Sequence, residues 1–202
     1  PPVKEIEIAL PNLPEEFDGY RLIQLTDLHL SRLFPARWAK EVVARTNAQD
    51  ADLIVITGDL MDGSLEARRE DVEPLRNLTS KDGVFVITGN HEYYYGHEGW
   101  MRRYQELGMI RLSNSHVQLN RGSSSIVLAG LTDSASLRFE LPRPDVRKAL
   151  EGVPPGTPII LLDHQPKAAP VAARAGVAPE LSGDPHGGMV LGVNRLVARF
   201  NN

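Results

Sequence analysis

Four short apolar runs share one design, each too short for a helix and each breaking into polar residues at its carboxyl end. They are RLIQLTDLH (21–29), DLIVITGDL (52–60), GVFVITGNH (83–91) and TPIILLDHQP (157–166), and SSIVLAGLTD (124–133) is a fifth of the same kind. Continuous runs such as Leu53-Ile54-Val55-Ile56 and Ile159-Ile160-Leu161-Leu162 predict strands buried on both faces. Helical patterns lie between them. Residues 35–48 begin at Pro35, a residue favoured in a first helical turn, and place Trp38, Val42 and Val43 on one side. Residues 97–107 carry Trp100, Tyr104 and Leu107 at helical spacing, with Gly108 as the C-terminal stop. Residues 167–175 are Ala-rich and end before Gly176. Strand, helix and strand recurring about every thirty residues imply parallel βαβ units. Segment 110–128 reads instead as antiparallel strands separated by polar turns. The pattern predicts an α/β domain: a mixed sheet, or two sheets, flanked by helices, with residues 1–202 as a single unit.

Composition narrows the function without naming it. Of 202 residues, 42% are hydrophobic and 24% charged, an ordinary globular balance with enough chain for a large core. The net charge of −4 argues against a broad basic face, so no nucleic-acid partner is expected. The absence of cysteine excludes disulfides and thiolate metal sites. No apolar run approaches the ~20 residues that span a bilayer. The chain opens at Pro1-Pro2 rather than Met, so we expect upstream sequence to be missing.

In α/β sheets, ligands bind beyond the carboxyl ends of the strands. Those ends hold Asp27, His29, Asp59, Asn90, His91 and His164, and a later loop, SGDPHGG, adds Asp184 and His186. Asp27 and His29 are two apart on an extended segment, so both point to one side and can grip one ion. Asp59 offers two oxygens and could bridge two ions, Asn90 offers a neutral amide oxygen, and His164 and His186 offer imidazole nitrogens. A mixed oxygen and nitrogen set without sulfur suits Mn, with Fe, Zn or Co as alternatives. Glycines 58, 63, 89, 183, 187 and 188 allow tight turns beside such a centre. Taken singly, Asp-x-His reads as a capping pair and GDLMDG as a turn in which Asp59 or Asp62 caps a helix. The ordered set outweighs those readings. His97 and His116 read as ordinary surface or loop histidines. Tyr93-Tyr94-Tyr95 either packs its loop or offers a ring to a substrate. Glu92 either orients His91 or is a solvated carboxylate.

The series D-x-H, G-D-x-x-D, G-N-H-E, H-x-P and S-G-x-x-H-G-G, in that order, resembles the calcineurin-like metallophosphoesterase superfamily over nearly the whole chain. RLIQLTDLHL, ITGDLMDG and SGDPHGG are most similar to its bacterial branch of membrane-associated phosphodiesterases, some of which cleave UDP-2,3-diacylglucosamine. The resemblance implies two mixed sheets packed as a sandwich between helices, with closing strands beyond residue 202. It implies two divalent ions, the first held by Asp27, His29, Asp59 and His186, the second by Asp59, Asn90, His164 and residue 184. His91 would meet the substrate phosphate and leaving group rather than a metal. Two ions ~3.5–4 Å apart would bind phosphate oxygens and lower the pKa of a water toward ~7, so that hydroxide attacks phosphorus directly. The expected substrate is a phosphodiester or pyrophosphate, lipid-linked in this branch, with membrane association through a preceding segment or else a cytoplasmic location. One residue departs from the pattern. Asp184 stands where the family has a histidine, and it is the sole sequence support for the rival reading, a catalytically impaired scaffold on the same fold.

Overall fold

In a computed structural model, residues 3–10, 12–174, 176–177, 179–183 and 193–199 are described. Two sheets lie back to back. The first has the order β1 (Val3–Ala9), β10 (Val193–Arg199), β2 (Arg21–Leu25), β3 (Leu53–Ile56), β4 (Val84–Val86), β5 (Ile110–Arg111), parallel except where β10 meets β2. The second has the order β6 (Ser115–Arg121), β7 (Ser124–Gly130), β8 (Ile159–Asp163), β9 (Glu180–Ser182), antiparallel only at the β6–β7 hairpin. This is the pair of mixed sheets that the motif resemblance implies. One expectation fails at residues 110–111, which pair parallel with β4 in the first sheet rather than antiparallel with their successors. Their side chains are half-exposed at that sheet's edge, where a two-residue strand leaves little periodicity to read.

Alternation along each strand builds three apolar layers. Leu22, Leu53, Val55, Phe85 and Ile87 face Leu119, Ile126, Leu128, Ile160 and Leu162 between the sheets. The opposite positions Ile23, Leu25, Ile54, Ile56, Val84 and Val86 pack on Val42 and Val43 of α1 (Ala36–Asn47), Val72 of α2 (Leu65–Val72), and Trp100 and Tyr104 of α4 (His97–Glu106). Outside the second sheet, Val127, Ala129 and Leu161 meet Val146 and Ala149 of α5 (Val146–Ala149) and Ala172 of α6 (Ala169–Arg174). Strands sandwiched this way are buried on both faces, which is why they read as nearly unbroken apolar runs, and the exception, Gln24 in β2, donates to Thr57 Oγ1 and Ser182 O. Where the sheets come closest, a Cβ on Gly130 would lie 2.5 Å from Leu112 Cβ and 2.6 Å from Ile87 Cγ2, so only glycine fits.

The amino-terminal ends of the strands, opposite the polar ends, are held by a buried carboxylate. Asp52 accepts from the Arg21 amide (2.8 Å), Lys81 Nζ (3.0 Å) and Arg121 Nη2 (2.7 Å), which joins β2 to β6 across the two sheets. The Arg121 guanidinium also lies over the Tyr20 ring, 4.7 Å from its centroid. Burial alone would raise the Asp52 carboxyl, but the Arg21 amide, Arg121 and Lys81 outweigh it and hold it below the ordinary range. A depressed folded pKa contributes stability that is complete above the unfolded value near ~3.9 and is lost as pH falls through the folded value. Asp52→Asn should therefore cost about 1–3 kcal/mol at neutral pH and flatten the acid limb of the stability curve. Urea melts from pH 7 down to pH 2 test this, and an unchanged acid limb would show that the clamp contributes nothing.

Candidate metal centre

The polar ends of β2 and β3 do not splay apart after the strands finish. Asp27 N donates to Gly58 O (3.2 Å), His29 N to Asp59 O (3.0 Å), Leu30 N to Leu60 O (2.9 Å) and Asp62 N to Leu30 O (2.9 Å). Residues 27–30 and 58–62 thus run side by side as a continued ladder. Asp27, His29 and Asp59 all adopt left-handed backbone, with φ of 51°, 44° and 55°. This corrects the expectation that Asp27 and His29 share a side because their segment is extended. It is two left-handed residues, costly for non-glycine side chains, that turn both toward one point.

That point is Asp59, 1% exposed. Its Oδ1 accepts the backbone N–H of His91 at 2.9 Å, while buried Oδ2 has no hydrogen-bond donor. Around Oδ2 stand three imidazoles, with Nε2 of His164 at 3.4 Å, His91 at 3.8 Å and His29 at 3.9 Å. Each ring is held from behind. His164 Nδ1 lies 2.7 Å from Thr57 O, His29 Nδ1 3.0 Å from Asp62 Oδ1, and His91 Nδ1 2.5 Å from the same oxygen. With Nδ1 turned to these acceptors, Nε2 of each ring points inward, where it offers a lone pair to an ion or, when protonated, an N–H. Asn90 Oδ1 faces His164 Nε2 at 3.1 Å, and Asp27 Oδ1 lies 4.0 Å from His29 Nε2.

These atoms fit divalent ions. Two donors each ~2.1 Å from one ion lie at most ~4.2 Å apart. The distances from Asp59 Oδ2 to His29 and His164, and from Asp27 to His29, fall inside that limit. Ligand atoms of Asp27, Asp59 and His164 lie within 4.8 Å of one another, as do those of His29, Asp62 and His91. Charge agrees. Burial alone would lower the pKa of His164, but the Asp59 carboxylate, the Thr57 carbonyl and the charge of Asp27 raise it to about 10. A field that favours a proton on that nitrogen favours a divalent cation there equally.

The motifs bring Asp27, His29, Asp59, Asn90, His91 and His164 together. Asp184 and His186 lie outside the described residues, as do Gly187 and Gly188. Gly183, the last described residue before them, lies beside the centre: a Cβ on it would fall 2.6 Å from Asp27 Oδ2 and 2.2 Å from Thr26 Oγ1, and its N donates to His164 O. Sequence reasoning missed Asp62, read only as an alternative helix cap. The signal was present in the second aspartate of G-D-x-x-D. Glu92 is not solvated. It is fully buried in α3 (Asn90–Tyr94) and accepts from the amides of Gly89, Asp59 and Leu60 and from Tyr104 Oη. Nor does its carboxylate touch His91; it fastens the loop after β3 to the loop after β4. Two more expectations are corrected. His97 is buried and stacked on Tyr93 (4.6 Å), and His116 sits within β6 with Nδ1 on Ala149 O (2.7 Å).

Residues 20–191 match the profile described as calcineurin-like phosphoesterase. The chain belongs to this family. A transmembrane protein with metallophosphoesterase domain from Danio rerio is 36% identical over all of this chain and 48% of its own length. An uncharacterized metallophosphoesterase of Helicobacter pylori is 34% identical over 98% of this chain and 52% of its own length. The chain thus spans about half the length of these curated relatives. Among solved structures, a 5′-nucleotidase precursor from Thermus thermophilus shares the fold with TM-score 0.56 and 15% identity, over 89% of this chain and 48% of that one. A phosphopantetheinyl hydrolase from Mycobacterium tuberculosis matches with TM-score 0.56 and 12% identity, over 92% and 90%. Within the family frame, Glu92 is the residue on which the shape of this calcineurin-like centre rests. Glu92→Gln places an amide N–H₂ against backbone donors, so it should cost at least the ~1.5–3 kcal/mol of one charged hydrogen bond and weaken metal uptake with it. Chemical denaturation and metal titration of the variant check this. Unchanged stability would show that the two loops hold without Glu92.

Proposed function

We propose that the chain is the catalytic domain of a metal-dependent phosphoric ester hydrolase with two divalent ions, Mn by preference, acting on phosphodiesters or pyrophosphates. The observation that carries this reading is the donor-free Asp59 Oδ2, buried and ringed by three imidazole nitrogens whose far sides are fixed. Asp27, His29, Asp59, Asn90 and His164 would hold the ions, with Asp184 and His186 completing the set as the sequence motifs assign them. Bound ions supply Lewis-acid charge to phosphoryl oxygens and acidify a water.

The chain's own groups supply position and a proton. His91 is held at Nδ1 by Asp62 and turns Nε2 toward the pocket, where it donates to a phosphoryl or leaving oxygen. Asp62 also fixes His29, so one carboxylate sets the angle of a ligand and of the proton donor together. Phosphate is retained by charge, and no nucleophilic side chain is needed. Action at a membrane is part of the proposal, supported by the names of the Danio rerio and Bos taurus relatives. Among the described residues, no helix is long and apolar enough to cross one.

Chelation should abolish hydrolysis of an aryl phosphodiester, and added Mn²⁺ should restore it at least as well as other divalent ions. Full turnover in excess chelator would sink the metal reading, and full metal occupancy without turnover on any ester would favour the scaffold. His91→Ala should keep its metal content while kcat drops by roughly 10²–10⁴. His91 Nε2 is as close to Asp59 as His29 is, so metal analysis is the deciding measurement. Loss of an ion in this variant would make His91 a ligand.

A further inference from the structure

The tyrosine triplet after the G-N-H-E motif divides by exposure. Tyr93 is 3% exposed and packed, whereas Tyr94 and Tyr95 are 45% and 41% exposed. In a helical turn, residues at i, i+3 and i+4 share a face, so His91, Tyr94 and Tyr95 stand together. The ring centroids of Tyr94 and Tyr95 lie 6.0 Å and 5.9 Å from that of His91. A separate loop extends the surface: Phe139, 44% exposed, lies 6.2 Å from Tyr94, and Arg138 Nη1 reaches Tyr94 Oη at 3.5 Å. A cavity of about 620 Å³ runs along this rim, lined in part by Leu65, Tyr93, Tyr94, Tyr95, Phe139 and Leu141.

We infer that this aromatic shelf is the subsite for the organic part of the substrate, and that it selects esters carrying a flat aromatic group. The inference rests on the phosphoester reading of the metal centre. Its support is continuity: the shelf begins at the ring that faces the phosphate position and leads outward from it. Exposed tyrosine faces offer a planar group dispersion and quadrupole contact at little ordering cost, since neither ring must leave a packed position. Arg138 at Tyr94 adds a cation to the shelf and Glu98 in the cavity lining adds a carboxylate, so it is ring contact and not net charge that selects the organic part. An aliphatic chain gains burial there but no stacking.

The test compares 2-naphthylphosphonate with phenylphosphonate, binding each to the Mn²⁺-loaded protein by calorimetry. Turnover of the matching aryl methyl phosphodiesters, whose leaving groups have nearly equal acidity, is measured alongside. The naphthyl compounds should be favoured roughly 2–10-fold in both binding and kcat/KM. The double variant Tyr94→Ala, Tyr95→Ala should bring both ratios to parity, and Tyr94→Phe, Tyr95→Phe should keep them. Parity in the wild type, or a preference that survives the alanine pair, overturns the subsite and leaves the phosphoesterase reading standing. Octylphosphonate binding more tightly than the naphthyl compound overturns the aromatic assignment in favour of a chain. Binding of neither arylphosphonate overturns both readings.

Discussion

The fold is organised around one unsatisfied atom, Asp59 Oδ2. A buried carboxylate oxygen with no donor costs several kcal/mol unless a cation meets it. The rest of the centre is arranged to place a cation there, and the raised pKa of His164 shows that the site attracts positive charge. Oδ1 is occupied by the His91 amide, and the nearby imidazoles are turned at Nδ1 to Asp62 and Thr57 so that every Nε2 faces Oδ2. Such an arrangement needs a positive charge among its members, a proton or a metal ion, which is what makes it a ligand shell. The left-handed backbone at Asp27, His29 and Asp59 points the same way, because strain at three adjoining residues persists only where the surroundings impose it.

Imposing it requires rigid backing. Two loops must approach to near contact, and glycine sets that limit: a Cβ on Gly89 would fall 2.1 Å from Asp59 Oδ1, and one on Gly58 would fall 2.4 Å from Gly89 N and 2.8 Å from His164 Nδ1. Glu92 then knots the loops with three amides and a tyrosine hydroxyl. Burial, followed by the charge of Asp59, pushes its carboxyl upward, and the amides of Leu60, Gly89 and Asp59 pull it back down. The core of packed strands behind supplies the stiffness. Each strand, filled on both faces, leaves its last residues no freedom to retreat, so the precision of the centre is inherited from the packing of Ile54, Ile56, Val84 and Val86.

The same double burial explains what could be read from the sequence. A run apolar at every position announces a two-sided strand, and its abrupt polar end announces a ligand position, so the strands and six residues of the centre were legible. Relations between side chains were not. Nothing in local pattern says that Asp62 serves one histidine after β2 and another in α3, or that Glu92 reaches back across thirty residues to amides. Nor could periodicity reveal that β10 inserts between β1 and β2, parallel to the first and antiparallel to the second, since pairing order depends on distant segments. His97 looked like a surface residue because its partner, Tyr93, is recognisable as buried only once α3 and α4 are folded together.

The centre's back and front obey opposite rules, and the tyrosine triplet lies on the boundary between them. Behind His91 the backing is packed and Asp59 Oδ2 is left without a donor, which suits holding ions whose coordination demands are the same for any phosphoric ester. In front, Tyr94, Tyr95 and Phe139 keep large apolar faces in water, a state that the interior of the same domain permits nowhere nearby. Exposure of this kind is unfavourable for the free domain and is recovered only when something apolar covers the rings. One short helix therefore joins the two halves. Asn90 and Glu92 face the fixed half, whereas His91, Tyr94 and Tyr95 face the open half, so a half-turn of helix separates the packed centre from the exposed aromatic surface.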